Sequence, residues 1–225
     1  MLIAFTNTKG GVGKSTLAVH LAVWLFDRGF RVAVLDCDKQ RSSSQWIAEA
    51  EPKITCAVST TPENTLSVAR NLATSHDFVV GDGPGGLDDL SRTLLILADL
   101  AILPISPSIL DVRSVSQAAE ILRYAQELNH GRPEARLVLN RIKKRGRISR
   151  ELCDAAPSLG LKVAGHTVRQ LDAFIEAAQQ GTVVTRMTHG AESAKSDIEL
   201  LFQELFGGTE LRGEDIDETR EDQNE

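Results

Sequence analysis

From the first residue to about position 206, short apolar runs alternate with stretches whose apolar residues recur at helical spacing. The runs Leu2–Thr6, Arg31–Leu35, Phe78–Gly81, Leu100–Ile105 and Arg136–Leu139 predict strands, and a weaker run, Leu161–Val168, predicts another. Several are apolar without alternation, the pattern of strands covered on both faces. Between them Leu17, Leu21 and Leu25 repeat every fourth residue, with Gly29 placed to end a helix. Asp111 reads as an N-cap for a helix carrying Val112, Val115, Ala119, Leu122, Ala125 and Leu128 on one face. Ala191, Ala194, Ile198, Leu201 and Leu205 form a last amphipathic stripe, stopped by Gly207-Gly208. Strand–helix alternation predicts an α/β fold: three layers, α/β/α, around a mostly parallel twisted sheet. Ligands of such sheets bind outside the carboxyl ends of the strands.

Charge changes this picture at one end only. Residues 208–225 hold eight acidic and two basic side chains, which accounts for the whole net charge of −6 and leaves 23 of each sign in the rest. With almost no apolar content, 208–225 is expected to be a disordered acidic tail behind a single domain spanning 1–207. No apolar run is long enough to span a bilayer, and the N-terminus lacks the basic region and cleavage site of a signal peptide. The cysteines, Cys37, Cys56 and Cys153, are odd in number and far apart, as expected of reduced thiols in a cytoplasmic protein. No pairing of cysteines suggests a cluster or a soft-metal site.

The first predicted strand runs straight into Asn7-Thr8-Lys9-Gly10-Gly11-Val12-Gly13-Lys14-Ser15-Thr16, which in turn opens a helix. This is the setting of a phosphate-binding P-loop. Glycines 10, 11 and 13 allow a tight turn with N–H groups aimed at phosphate oxygens, and the helix adds the positive end of its dipole. Lys14 is placed for the β- and γ-phosphates, the Ser15 hydroxyl for Mg²⁺ and Thr16 for the α-phosphate. Asp36 and Asp38 leave the end of the second strand on one side of the chain, where a carboxylate can hold a metal-bound water or orient an attacking one. Asp82, at the tip of Phe78–Gly81, has Walker B character.

Thr8 stands where the standard loop has glycine, and Lys9 precedes the glycine pair. In this the sequence resembles the deviant Walker A ATPases of the ParA family, which is related to MinD. The resemblance spans about residues 1–206 and is most specific at 5–16, 35–40, 82–86 and 104–111. It implies that Lys9 reaches across a face-to-face homodimer to the partner's ATP, a cation supplied in trans. It implies that Asp38 positions the hydrolytic water and that Asp36 supports the Mg²⁺ shell, with Lys39 where the family has proline. Asp82-Gly83-Pro84-Gly85-Gly86 matches a switch, with Gly85 a departure from the family's D-x-P-P. Pro104-Ile105-Ser106-Pro107-Ser108 resembles its P-x-x-P-S segment. Asn140-Arg141 matches its adenine-binding position, and Lys143 stands where a guanine-binding aspartate would be, so ATP is expected over GTP. Thr167-Val168-Arg169 falls where the family has a second base-contacting loop.

Because the P-loop comes first, the chain resembles the small ParA proteins without an N-terminal helix-turn-helix. The resemblance implies an ATP-bound homodimer that binds DNA without sequence preference, hydrolysis stimulated by a ParB-like or centromere-binding partner, and a cytoplasmic, nucleoid-associated ATPase that segregates DNA. Lys143, Lys144, Arg145, Arg147 and Arg150 form the candidate DNA-contacting run. Two alternatives have the same switch chemistry: a ParA-like ATPase positioning a protein array or compartment, and a MinD-like membrane-surface ATPase. The second would need a basic amphipathic C-terminal helix, and an acidic tail would be repelled by anionic lipid instead.

Overall fold

A computed structural model describes residues 1–86, 88–106, 109–143 and 146–207, with all their side chains except those of 109–114, 147–149 and 152. The strands are β1 (Leu2–Asn7), β2 (Val32–Asp36), β3 (Thr55–Val58), β4 (Phe78–Gly85), β5 (Leu100–Ile105), β6 (Glu134–Leu139) and β7 (Lys162–Val163). They form one sheet in the order β3-β2-β4-β1-β5-β6-β7, every pairing parallel. The helices are α1 (Lys14–Phe26), α2 (Ser42–Ala50), α3 (Pro62–Ser75), α4 (Asp89–Leu97), α5 (Ile109–Leu128), α6 (Arg147–Ala155), α7 (Ala173–Gln179) and α8 (Glu192–Phe206).

The period of two along each strand builds the three layers. On one side Ile3, Phe5, Val34 and Val80 pack with Leu17 and Leu21 of α1 and with Ile198 and Phe202 of α8. On the other, Leu2, Ala4, Leu35 and Val79 meet Leu72 of α3 and Leu94 of α4, while Leu103, Ile105 and Leu137 meet Ala119 and Leu122 of α5. Burying both faces is why the strands carry few polar residues before their carboxyl ends.

Several element boundaries differ from the sequence expectation. α5 begins at Ile109, so Asp111 lies within its first turn and is not its N-cap; an aspartate suits the positive end of a helix in either place. Leu128 is 54% exposed, because Asn129 makes the contact with the end of α4, donating from Nδ2 to the Ile96 carbonyl at 2.9 Å. The weak run Leu161–Val168 forms a strand only at Lys162–Val163; Gly165 and His166 then turn away, their N–H groups held by the Glu204 carboxylate, and Val168 returns to the end of β6, donating to Leu139 O at 2.9 Å. The edge strand β3 carries no apolar pattern that announces it. Gly29 adopts φ +83 three residues past the end of α1 and donates its N–H to Phe26 O. The acidic tail, 208–225, lies outside the described residues.

α1 is buried along its whole length beyond the first turn, which forces a solution for its one polar core residue, His20. His20 Nδ1 lies 2.7 Å from Thr16 O, and Nε2 accepts from Val184 N–H at 3.1 Å. Only the neutral ring with its proton on Nδ1 satisfies both. Desolvation pushes its pKa down to about 4 from an ordinary 6.5, against the opposing pull of the Thr16 carbonyl. An unfolded chain takes up this proton between pH 6.5 and 4 while the folded one does not. The contribution is therefore complete above pH 6.5 and is lost as the pH falls toward 4, at ~1.4 kcal/mol per pH unit. Urea unfolding of the protein and of His20→Gln across pH 4–7 is expected to show their stability difference shrinking by about 3 kcal/mol toward the acid end; a constant difference would show that the ring titrates normally.

Candidate nucleotide-binding site

The carboxyl ends of β1, β2 and β4 open on a cavity of about 950 Å³. The loop after β1 forms its floor, the segment after β2 one wall and the segment after β4 the other. Asn7 sets the loop's entry: buried at the end of β1, it donates to the Pro104 carbonyl of β5, while its Oδ1 accepts from Lys9 N–H at 3.1 Å and from the Thr8 hydroxyl at 3.2 Å. Gly11 and Gly13 take φ +76 and +91, where a side chain would be strained. Gly13 is doubly constrained, since a Cβ there would sit 2.3 Å from Asn140 Nδ2. Val12 is buried and its carbonyl accepts from that same Nδ2 at 2.8 Å. The backbone of Gly10 and Gly11 is left facing the cavity, as are Ser15 and Thr16 at the start of α1.

Lys14 is only 6% exposed, and its Nζ donates to Lys9 O at 3.3 Å. Burial lowers its pKa, opposed by the nearby carboxylates of Asp82 and Asp38. Asp36 and Asp82 stand side by side in register on β2 and β4, both sealed from solvent. Their environments differ. Asp36 accepts from Asp38 N–H at 3.0 Å and from Ser44 N–H at 2.8 Å, so it braces the segment that carries Asp38 and fastens the start of α2. Asp38 is half-buried on the cavity wall, its Oδ1 accepting from Gln40 N–H at 2.9 Å. Asp82 has two carboxylate oxygens with no hydrogen-bond partner among the described residues. Desolvation pushes its pKa up to about 7; Asp36 adds to the rise, while the Ser15 and Ser43 hydroxyls and Lys14 lie near enough to oppose it.

A buried carboxylate without a partner is costly, and such a group marks a place where something else binds. Beside a serine hydroxyl and below a row of backbone N–H groups, it suits a hard divalent cation such as Mg²⁺, which takes one or two protein oxygens and completes its shell with water and phosphate. Among the described residues no three His, Cys, Asp or Glu side chains converge as a metal cage of their own.

Behind Thr16 lies a second, smaller cavity of about 240 Å³, with Leu17, Trp46, Val168, Leu171 and Phe174 on its walls and Asn140 and Arg141 at its rim. Its size and apolar walls suit a planar base. Arg169 pins the 168–172 segment to α8, with its N–H and guanidinium bonded to the Asp197 carboxylate at 2.8–3.1 Å.

The description CobQ/CobB/MinD/ParA nucleotide binding domain matches residues 3–184. The chain belongs to this family. A curated relative, maintenance of carboxysome distribution protein A from Halothiobacillus neapolitanus, is 30% identical over 91% of this chain and 95% of its own. Among solved structures, an ATP complex of McdA from Cyanothece superposes with TM-score 0.70 at 16% identity, covering 91% of this chain and 95% of that one. MinD from Pyrococcus horikoshii with Mg-ADP gives TM-score 0.71 at 19% identity, covering 90% and 94%. The seven-stranded parallel sheet with its flanking helices is the MinD/ParA fold.

Set beside the ParA and MinD proteins, the departures in the sequence acquire physical reasons. Gly85 is the last residue of β4 and lies against the P-loop, where a Cβ would meet Gly10 Cα at 3.4 Å. The turn beyond it is tied to α4, where Ser91 donates to Gly86 O at 2.7 Å and Asp88 caps Ser91 N–H at 3.0 Å. Lys39 is exposed on the cavity rim in a loop that turns through Arg41 at φ +55. The Asn140 amide is engaged from both ends, by Val12 O and by Arg141 N–H at 2.9 Å, so its side chain fastens the P-loop while it lines the smaller cavity. Arg141, at φ +57, lines both cavities and donates to Gly11 O.

The candidate DNA-contacting run is only partly within view. Lys143 and Arg150 are exposed, Lys144 and Arg145 lie outside the described residues, and the side chain of Arg147 is not described. Pro107 and Ser108 also lie outside them. No helix among the described residues is long and apolar enough to cross a membrane. Sequence reasoning missed Asn7, Ser43 and Trp46. Asn7 could have been suspected as a polar residue ending an apolar strand before a glycine loop; the other two carry no local signal.

Proposed function

We propose that this chain is a Mg²⁺-dependent ATPase of the ParA type, which closes over ATP as a homodimer and uses slow hydrolysis to place a cargo. The observation that carries the reading is Asp82, buried without a hydrogen-bond partner among the described residues and close to Lys14 and Ser15, which line the larger cavity. Thr8 through Thr16 cradle the triphosphate, with Lys14 on the β- and γ-phosphates, Thr16 on the α-phosphate and Ser15 with Asp82 as the residues that hold the metal. When bound, Mg²⁺ supplies neutralisation of phosphate charge. Asp36 serves the metal side of the site through the loop it braces, and Asp38 orients the attacking water. The base lies in the smaller cavity, against Leu17, Trp46 and Phe174 and beside Asn140 and Arg141. Adenosine nucleotides in the Cyanothece McdA and P. horikoshii MinD structures support ATP as the substrate.

Lys9 follows the family pattern in serving the nucleotide of the second subunit, which makes turnover depend on dimer formation. Lys9→Ala is expected to bind ATP as a monomer and to lose dimer-dependent turnover by roughly 10³-fold, the lower range for a cation supplied in trans. Sedimentation with ATP and a phosphate-release assay check this; full turnover in the variant would remove Lys9 from the mechanism.

For the cargo, two readings have support. The basic run Lys143–Arg150 favours nonspecific DNA in a partition system with a ParB-like partner. The relative from H. neapolitanus, named for carboxysome distribution, equally favours a protein compartment. ATPase rate and oligomeric state, measured with ATP in the presence and absence of nonspecific DNA, test both. DNA binding that requires ATP and falls steeply with salt supports a DNA-riding ATPase, with a slope of about −0.9 per phosphate contacted. Binding indifferent to ATP or salt would count against it.

A further inference from the structure

Three consecutive serines open α2, and their surroundings differ. Ser42 is exposed at the cavity wall. Ser44 receives the Asp36 carboxylate on its N–H, and its own hydroxyl donates to Arg41 O at 3.0 Å. Ser43 is fully buried, and its hydroxyl makes no well-formed hydrogen bond among the described residues. Close enough to feel that hydroxyl is the Asp82 carboxylate, whose two oxygens are also buried and make no well-formed hydrogen bond among the described residues. Topology brings them together: Asp36 holds the residue after Ser43, and Asp36 is the cross-strand neighbour of Asp82. A hydroxyl sealed from water with nothing to bond is a poor choice for core packing, where alanine would cost less. Its presence here is explained if it has a partner in the occupied site.

We propose that Ser43 is a positioning residue of the metal site: its hydroxyl donates to the Asp82 carboxylate when metal and nucleotide are bound, tying the segment that bears Asp38 to the strand that bears Asp82. The role rests on the Mg²⁺-nucleotide reading of the site. Ser15 approaches the same carboxylate from α1, so Asp82 is held between two helices, one leading from the P-loop and one from the Asp38 loop. Without Ser43, one lone pair of Asp82 would be uncommitted and the carboxylate would be less well aimed at the metal shell. Outer-shell partners of metal-holding groups commonly act in this way.

The test uses the full chain and calorimetric titration with ADP over a series of Mg²⁺ concentrations, and with EDTA. Ser43→Ala is expected to need about tenfold more Mg²⁺ for the same ADP affinity, with affinity in EDTA within about twofold of the parent. Ser43→Cys, nearly isosteric and a weak donor, is expected to fall between them, and it serves alone should the alanine variant not fold. In an Asp82→Asn background the Ser43→Ala change is expected to leave the Mg²⁺ requirement unmoved. An unchanged Mg²⁺ requirement in Ser43→Ala, an equal loss of affinity with and without Mg²⁺, or persistence of the effect without Asp82 would each overturn the proposal. Failure of the parent protein to bind Mg-ADP would instead sink the reading of the site itself.

Discussion

Replacing Asp82 by asparagine is expected to make the nucleotide-free protein more stable at pH 8 while abolishing its stabilisation by Mg²⁺ and nucleotide. The carboxylate is fully buried with no hydrogen-bond partner among the described residues, and desolvation raises its pKa to about 7 from 3.8. For an acid shifted upward, the folded state binds the extra proton between pH 3.8 and 7, so stability falls as the pH rises through that window. Above pH 7 the whole penalty applies, of order 4 kcal/mol at ~1.4 kcal/mol per unit. Asparagine has nearly the same shape and no charge, so its advantage appears at pH 8 and vanishes below pH 4. For a chain of this size that corresponds to a thermal midpoint higher by roughly 10 °C. With Mg²⁺ and ADP present the order should reverse, because ligand that binds only the folded parent stabilises it by mass action. Calorimetric scans at pH 4, 6 and 8, with and without Mg-ADP, read both effects. An asparagine variant less stable than the parent in the nucleotide-free state at pH 8 would mean that Asp82 already has a partner within the fold. His20 pulls stability in the opposite direction between pH 4 and 6.5, so the parent protein alone should show a shallow pH profile there that conceals both groups.

The second large effect is expected at Lys14. Lys14→Ala should reduce ATP turnover by on the order of 100-fold or more, the range for loss of one preorganised electrostatic group. Lys14 is held almost out of solvent, its ammonium opposed by Asp82 and Asp38, and this placement delivers positive charge to the cavity without reorganisation. The variant loses that charge together with the Nζ bond to Lys9 O. Steady-state phosphate release with ATP in excess measures the loss, and a far-ultraviolet spectrum matching the parent confirms that the variant folds. Turnover within tenfold of the parent would overturn the phosphate-loop assignment.

How legible the site was varies with the kind of contact involved. Glycines 10, 11 and 13 with Lys14 and Ser15 could be read directly, because a P-loop is a contiguous device whose geometry is set by backbone freedom over a few residues. Asp36 and Asp82 were legible as carboxylates ending apolar strands. Their difference was not: Asp36 is satisfied by two N–H groups from its own loop and helix, while the Asp82 oxygens have no hydrogen-bond partner among the described residues, and that contrast exists only once β2 and β4 lie side by side. Asn140 makes a contact that its motif does not announce: its amide donates to the Val12 carbonyl, 128 residues away, and fills the space that a side chain at Gly13 would need.

The chain's own pattern determined the layer architecture, the parallel sheet and the phosphate loop, since strand and helix periods and glycine-rich turns are local properties carried by consecutive residues. Tertiary structure alone decided which buried polar groups are satisfied. The proton on His20, the orphaned carboxylate of Asp82, the idle hydroxyl of Ser43 and the wall that Trp46 and Phe174 build behind Thr16 all depend on residues far apart in sequence. Hydrogen-bond satisfaction and desolvation are set by what surrounds a group in space, and no spacing along a chain encodes that by itself.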